Sequence, residues 1–257
     1  MRYNNFIIVS FQILKKIVIL LSYILFLCFS HSYAQEKNYS DPGNLKAYAE
    51  NIYSADQNLI NGIKYENYYP KAQGNAFFNE DVFSYGYLIV NNILYLNQKL
   101  KYDICNQQLL LLLDEKGKYE IILNNSAISE FSIGDKKFKK YFFKEKGFRF
   151  FQELSTGKST CLYYWEKDFI PVNNSLESAY RYGSQHKDSY LLIADSLMQF
   201  RNKKTFIRCF PENHSGIMNG YIRKNKLNIK HITDEKMAGI LRFYDGLISN
   251  GNKVNVK

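Results

Sequence analysis

The pattern of apolar and polar residues changes character three times along this chain. Residues 1–34 carry a basic start and then an apolar run from Ile17 to Ser30. From about Tyr85 to Lys167, short apolar and aromatic runs alternate with turn residues at intervals of about 8–12 residues, which is typical of strands. Beyond about residue 202 the apolar residues recur at spacings of three and four, the period of a helix.

The middle segment predicts an antiparallel sheet. Asn91-Asn92, Gly134-Asp135 and Thr156-Gly157 separate neighbouring runs, and Gly117 ends a four-residue turn that predicts a tight hairpin. No segment between the runs is long enough for a crossover helix, which argues against a parallel sheet. We therefore expect an α+β fold built on an antiparallel β meander, and the pattern leaves a sandwich, a roll and a barrel open.

Helices are expected on both sides of this sheet. Ser40-Asp41-Pro42 has the form of a helix start, and a short N-terminal helix follows it to about Tyr53. A C-terminal group of about three helices is predicted over about 202–249, the last of them capped by Thr233. Because no linker rich in proline, glycine or serine separates sheet from helices, 35–257 is expected to form a single β-rich domain with a helical C-terminal section.

Residues 1–34 have the parts of an export signal. Their basic residues come first, the apolar run follows, and Ser32-Tyr33-Ala34 supplies a small-x-small cleavage pattern before Gln35. The apolar run spans only about 21 Å as a helix, short of the roughly 30 Å hydrocarbon core of a bilayer. We expect cleavage after Ala34, and a mature chain that does not span the membrane and works outside the cytoplasm.

Charge changes this picture little. The formal net charge is +10, and it becomes +7 once the three cations of the leader are removed. The densest basic cluster, Lys136-Lys137 with Lys139-Lys140, is interrupted by Phe138, as on the solvated face of a strand. No nucleic-acid partner is expected.

Three cysteines follow the leader: Cys105, Cys161 and Cys209. An odd number leaves at least one free thiol. One possibility is a Cys105–Cys161 disulfide in an oxidising compartment, and the other is a set of buried free thiols that behave as small hydrophobic residues. Neither CxxC nor a histidine ligand spacing occurs, so neither a metal site nor a cofactor is expected.

Acidic pairs are candidate catalytic groups, because an exported β protein can be a glycosidase. Glu80, Asp81 and Asp103 are the acids that a carboxylate-dependent hydrolase of polysaccharide or peptidoglycan would use. The sequence contains no nucleophile elbow and no phosphate-binding loop, and no catalytic residue is assigned. The hydrolase is therefore the alternative function.

Aromatic residues supply the candidate binding surface. The chain has 22 tyrosines, and tyrosine on a solvated sheet face can stack on sugar rings. The candidate ligand-binding residues are Tyr68, Tyr69, Tyr163, Tyr164 and Trp165. The leading hypothesis is a non-enzymatic exported protein. Its binding partner would be a macromolecule, such as a glycan or an envelope protein. A carrier of a small ligand in a barrel cavity is a third hypothesis.

Three short motifs carry a family resemblance. They are Asn61-Gly62 with Tyr65, Leu100-Lys101-Tyr102-Asp103-Ile104, and Phe243-Tyr244-Asp245. Through these motifs the chain resembles a family of exported Bacteroidetes proteins of unknown function. The resemblance covers roughly residues 58–248. The resemblance implies export by a Gram-negative bacterium and no known activity. The predicted C-terminus is helical, whereas the sorting domain of Bacteroidetes surface secretion is β-rich. We therefore expect the protein to be localised in the periplasm or at the outer-membrane periphery, with secretion as a further option.

Overall fold

The computed structural model describes residue 59 and residues 62–113, 119–143, 146–155, 157–172 and 179–251. The chain divides into two compact units, residues 1–53 and residues 54–257, and every described residue lies in the second. The export segment, the predicted N-terminal helix and the predicted turn at Gly117 lie outside the described residues.

Antiparallel strands dominate the described residues. In chain order they are β1 (Gly62–Lys64), β2 (Ser84–Val90), β3 (Ile93–Asp103), β4 (Gln108–Leu112), β5 (Glu120–Leu123), β6 (Ile128–Ile133), β7 (Lys136–Phe143), β8 (Gly147–Ser155), β9 (Ser159–Glu166), β10 (Phe169–Pro171), β11 (Tyr180–Tyr182), β12 (His186–Ile193) and β13 (Ser196–Phe200). Eleven of them form one sheet in the order β1-β5-β4-β3-β2-β6-β7-β8-β9-β12-β13, while β10 and β11 form a separate pair. The predicted antiparallel sheet is confirmed.

Three α-helices follow the sheet, as the sequence predicts. They are α1 (Lys203–Ile207), α2 (Glu212–Lys224) and α3 (Asp234–Gly251). The Thr233 hydroxyl accepts the backbone N–H of Lys236 at 3.4 Å, which places the predicted cap at the start of α3. Among the helices of the described residues, none has both the length and the apolar character that a bilayer crossing requires.

Two hairpins have both turn residues in the left-handed region. Asn91 (φ 50°) and Asn92 (φ 64°) join β2 to β3, as the sequence predicts, and asparagine tolerates this conformation well. Ala194 (φ 45°) and Asp195 (φ 63°) join β12 to β13 in the same way. Because alanine is a poor indicator of such a turn, β13 was not predicted.

The buried side chains form clusters on both faces of the sheet. On one face, the rings of Tyr102, Phe131 and Phe138 contact one another, with centroid separations of 4.9–5.4 Å. Helix α3 packs on the C-terminal strands through Met237, Ile240 and Leu241, which share a cluster with buried residues of β9 and β12. The opposite face of β8, β9 and β12 carries a smaller cluster, which consists of Phe151, Leu162, Tyr164 and Tyr190.

The three cysteines are free thiols. Cys161 and Cys209 are buried in the cluster beneath the helices, and Cys105 is half-buried in the turn after β3. The Cys105–Cys161 disulfide that the sequence allowed is therefore not formed. The alternative of buried free thiols describes two of the three.

Strands β8 and β9 pair over only part of their length. Gln152↔Tyr163 is the last pair between them at one end. Beyond it, β8 continues along β7 to Gly147, and β9 continues along β12 to Glu166. The sheet is therefore split at this end, with a strand on each side of the gap.

Candidate functional site

An open cleft of about 890 Å³ lies where β8 and β9 separate. Phe148, Arg149 and Phe150 of β8 line it, and Tyr164 and Glu166 of β9 also line it. Two turns contribute as well, at residues 105–107 and 125–126. The split in the sheet thus creates a concave surface at this end of β8 and β9.

The turn at 105–107 is stabilised by Asp103. Its buried carboxylate accepts the backbone N–H groups of Cys105 at 2.9 Å and Asn106 at 2.8 Å, and also the Asn106 side-chain amide at 2.8 Å. Burial raises the pKa of Asp103, and these three bonds act in the opposite direction. Asp103 therefore shapes the cleft through the backbone of the turn.

Gln107 connects this turn to β9 across the gap. Its amide donates to the backbone carbonyl of Trp165 at 2.9 Å and to that of Ile104 at 2.7 Å. Its side-chain oxygen accepts the Tyr102 hydroxyl at 2.7 Å. Gln107 thus bonds to β9 at a point where β8 no longer pairs with it, which stabilises the separation of the strands.

Cationic side chains outnumber acidic ones along the cleft. Among the described residues that line it, three are cationic, Lys140, Lys146 and Arg149, and one is acidic, Glu166. Lys146 forms an ion pair with Glu166 at 3.0 Å and lies 4.4 Å from the centre of the Tyr164 ring. Within the described residues, neither Lys140 nor Arg149 has a carboxylate within 4 Å. Two positive charges are therefore left without an ionic partner there.

These two cations are positioned by backbone carbonyl groups. The Lys140 ammonium donates to the carbonyls of Asn125 and Ser126, and the Arg149 guanidinium donates to that of Phe148 at 2.8 Å. Burial lowers the pKa of Lys140, because the charged form loses hydration. Carbonyl dipoles compensate a full charge only in part, so an anion in the cleft would be stabilised.

Tyr164 is held as a neutral phenol at the edge of the cleft. Burial, together with the nearby carboxylate of Glu166, raises the pKa of Tyr164 to about 12. Its hydroxyl group therefore remains a possible donor at neutral pH.

Tyr68 and Tyr69 lie away from this cleft. The Tyr68 side chain is 80% exposed. The Tyr69 ring packs against Phe169 at 4.7 Å and Tyr180 at 5.1 Å, next to the small β10–β11 sheet. Tyr69 therefore belongs to a surface cluster of aromatic rings, next to Tyr68 in the sequence.

The other three predicted aromatic residues are on β9, with different surroundings. Tyr163 is buried beneath the helices, Tyr164 is buried on the opposite face of the strand, and only Tyr164 lines the cleft. Trp165 packs against the core, and its indole N–H donates to Gln152 at 2.8 Å. The structure does not bring the five predicted residues to one surface.

Of the three acids that a hydrolase would use, two have structural partners and one is exposed to solvent. Asp81 forms an ion pair with Lys101 at 2.7 Å, Asp103 organises the turn described above, and Glu80 is exposed. Among the described residues, no three His, Cys, Asp or Glu side chains are grouped in a way that could hold a metal ion.

Sequence reasoning missed Lys140, Arg149 and Gln107 as site residues. In sequence, the cluster that contains Lys140 resembles a solvated strand face. The sequence does place cations close to phenylalanines on two successive strands. Lys140 lies two positions before Phe142 on the first strand, and Arg149 follows Phe148 on the second.

The cleft therefore combines a surplus of positive charge, side-chain amides and an aromatic rim. These are the features of a binding site for a polar, negatively charged ligand. Comparisons of the chain with protein-family models, with curated proteins and with solved structures found no match.

Proposed function

We propose that this protein is an exported, non-enzymatic binding module and that the cleft between β8 and β9 takes an anionic glycan. The observation that carries the proposal is a pair of cations, Lys140 and Arg149, that have no ionic partner among the described residues. Glu166 neutralises the third cation of the cleft, Lys146. A ligand with a carboxylate group would supply the missing negative charge.

Size and chemistry both favour a carboxylated ligand. The volume of about 890 Å³ lies in the upper part of the usual range for ligand pockets, and so it suits an oligomer better than a single small anion. The guanidinium of Arg149 can bind a carboxylate through two parallel hydrogen bonds. Lys140 would act as a point charge beside it.

The uncharged groups of the cleft favour a sugar over other anionic ligands. The exposed ring of Phe148 stands at the rim, where a sugar face can stack on it. The amide of Asn125 donates to the carbonyl of Gln107 at 2.6 Å, while its side-chain oxygen is buried and accepts no hydrogen bond from any described residue. Phe148 is therefore the uncharged side chain that favours a sugar.

Export is a separate part of the proposal, supported by the sequence of residues 1–34. We propose one domain over 35–257 that is delivered to the periplasm or the outer-membrane periphery, in line with the Bacteroidetes-like motifs. Intact mass spectrometry of the protein from fractionated cells tests this part. A chain that begins at Gln35 is expected in the periplasmic fraction, and a chain that retains Met1 in the cytosol would contradict it.

The hydrolase alternative draws no support from its candidate acids. Asp81 is paired with Lys101, and the carboxylate of Asp103 is used by the turn. Binding without chemistry is therefore the function that the contacts favour.

Titration calorimetry with a short oligogalacturonate, and with a neutral oligosaccharide of equal length, tests the proposal. Binding of the acidic oligomer alone is expected, with an affinity that falls as salt is added. Lys140→Met and Arg149→Met should each weaken binding about tenfold, because each removes a charge-assisted hydrogen bond.

Lys158→Met is the matched control, because this exposed lysine lies in the turn between β8 and β9, at the opposite end of those strands from the cleft. It should bind like the unmodified protein. Equal binding of the neutral oligosaccharide, or an unchanged affinity in both cleft variants, would overturn the proposal.

A further inference from the structure

The side chain of Lys187 on β12 lies over two aromatic rings of β9. Its ammonium nitrogen is 3.4 Å from the centre of the Tyr163 ring and 5.0 Å from the centre of the Trp165 ring. At 3.4 Å the nitrogen is in van der Waals contact with the Tyr163 ring, so no water molecule fits between them. On this side of the amine, a ring face has therefore replaced the hydration shell.

The ammonium group of Lys187 has no ionic partner within the part of the chain that the structure describes. No carboxylate there lies within 4 Å of it, and no hydrogen bond joins it to another described residue. Asp234 of α3 acts on it from a longer distance, but that carboxylate already accepts Lys136 at 3.0 Å and the Gln152 amide at 2.7 Å. The two rings are therefore the groups in direct contact with this charge.

These surroundings favour the neutral form of Lys187. Burial lowers its pKa, because the ammonium group loses hydration. The charges of Asp234 and of the Cys161 thiol act in the opposite direction, and the charge of Lys136 acts in the same direction as burial. The neutral amine is the nucleophilic form of lysine, and burial of this kind is how proteins activate it. Lys187 remains partly exposed, so solvent reaches its side chain.

The hydroxyl group of Tyr163 is a second polar group at this place without a strong partner. Tyr163 is 1% exposed, and its hydroxyl forms no hydrogen bond with a nitrogen or oxygen atom of the described residues. The Cys161 thiol is close to it, but sulfur is a weak acceptor. Burial raises the pKa of Tyr163 far above its usual value, so the group stays a neutral donor. An oxygen atom of a ligand would supply the acceptor that this donor lacks.

We propose that Lys187 is a nucleophilic lysine that forms an imine with a small aldehyde. The neutral amine attacks the carbonyl carbon, and a proton passes from nitrogen to the carbonyl oxygen, which gives a carbinolamine. Loss of that hydroxyl group and the remaining N–H proton as water forms the C=N bond, with no oxidation or reduction. The Tyr163 hydroxyl belongs to the ring on which the amine lies, and it donates a hydrogen bond to the reacting oxygen.

The charges at this place favour an aldehyde over an anionic ligand. A protonated imine is a cation, and the rings of Tyr163 and Trp165 stabilise it as they stabilise the ammonium group. An anion would instead meet the negative charge of Asp234. Neither Lys187 nor Tyr163 lines the cleft between β8 and β9, so this inference does not rest on the glycan proposal.

Reductive alkylation tests the inference. The folded protein is treated briefly at pH 7 with propionaldehyde and sodium cyanoborohydride, and the alkylated lysines are quantified by peptide mass spectrometry. Lys99 is the matched reference, since its ammonium group also lies over a tyrosine, 5.5 Å from the centre of the Tyr85 ring, but that tyrosine is 62% exposed. Lys187 should be alkylated about tenfold faster than Lys99, because burial increases its share of neutral amine.

Two further measurements show whether the fold causes this reactivity. In guanidinium chloride the ratio of the two rates should fall to about one, because both lysines are then solvated. In a Tyr163→Phe protein with a native circular dichroism spectrum, alkylation at Lys187 should slow about three- to tenfold, the effect of losing one hydrogen bond. Tyr85→Phe, the control, should leave the rate at Lys187 unchanged.

Three outcomes would overturn the inference. The first is a folded protein in which Lys187 reacts no faster than Lys99. The second is a ratio of rates that denaturation leaves unchanged, since the reactivity would then belong to the local sequence. The third is a folded Tyr163→Phe protein that reacts like the unmodified one.

Discussion

The ammonium group of Lys101 lies over the ring of Phe77, 4.1 Å from its centre. The Phe83 ring is 4.5 Å away, and the carboxylates of Asp81 and Glu120 are 2.7 and 3.4 Å away. Lys101 belongs to β3 and is only 6% exposed. One lysine therefore holds the irregular segment that precedes β2 against the sheet, through its contacts with the two rings and its ion pair with Asp81.

Lys101→Met should destabilise the protein by about 3 kcal/mol. The substitution keeps the side-chain volume but leaves the Glu120 carboxylate without its cation. The expected loss of stability is at the low end of the range for a broken buried ion pair, because Asp81, the other partner, is half exposed. Urea denaturation measures the change. Lys64→Met, which removes an exposed pair with Glu66, should change stability by less than about 1 kcal/mol. Equal effects of the two substitutions would contradict this interpretation of the Lys101 site.

Gln152→Leu should destabilise the protein by about 2–3 kcal/mol. The buried amide of Gln152 accepts the indole N–H of Trp165 at 2.8 Å and donates to Asp234 of α3 at 2.7 Å, so the variant leaves a buried donor unpaired. Trp165 is the only tryptophan, and its fluorescence should shift at the same time. Gln199→Leu, at an exposed position of β13, should stay within about 0.5 kcal/mol. Unchanged fluorescence in Gln152→Leu would argue against the Trp165–Gln152 bond.

The thiols should react in two steps. Burial raises the pKa of Cys161 to about 12 and that of Cys209 to about 11, so neither forms a reactive thiolate in the folded protein near neutral pH. Cys105, half-buried in the cleft, should react slowly with Ellman's reagent, at a rate that increases with pH. Cys105→Ser should abolish this reaction, and urea should expose the other two thiols. Fewer thiols in the unfolded, unreduced protein would indicate a disulfide.

The protein should unfold cooperatively between about pH 10 and 12. Burial raises the pKa of Tyr65 and Tyr164 to about 12 from the usual 10.0, and that of Cys161 to about 12 from 9.0. The unfolded chain therefore releases these protons first, so the free energy of unfolding is unaffected below about pH 9 and decreases as pH rises through the folded values. Tyrosinate absorbance and circular dichroism should change together above pH 10. Titration of all tyrosines near pH 10, with a native dichroism spectrum, would contradict this expectation.

Local patterns predicted most of the sheet because strand periodicity and turn chemistry act over a few residues. Asn91-Asn92 marks its hairpin because asparagine tolerates the left-handed region at both positions. The apolar runs at 93–96 and 100–104 are separated by polar residues in the sequence, whereas β3 runs unbroken from Ile93 to Asp103. A left-handed residue at Asn97 (φ 54°) and a register shift between Gly86 and Leu88 of β2 absorb the polar interruption.

Strand order required the tertiary structure. β1 pairs with β5, and β2 pairs with both β3 and β6, so distant segments meet at positions that no local pattern specifies. The pairing of β1, at Gly62–Lys64, depends on close backbone approach: a Cβ on Gly62 would lie 2.2 Å from the carbonyl oxygen of Ile122. A strand of three exposed residues has no apolar alternation to detect.

The sequence alone determined the strand-rich middle, the C-terminal helices and the cap at Thr233. Each of these features depends on residues that are only a few positions apart in the chain. Only the tertiary structure decided where a ligand could bind. The cleft exists because β8 and β9 stop pairing beyond Gln152 and Tyr163, and Gln107 reaches Trp165 from far along the chain. Such a gap is a property of the register between strands, whereas composition and periodicity describe each strand by itself.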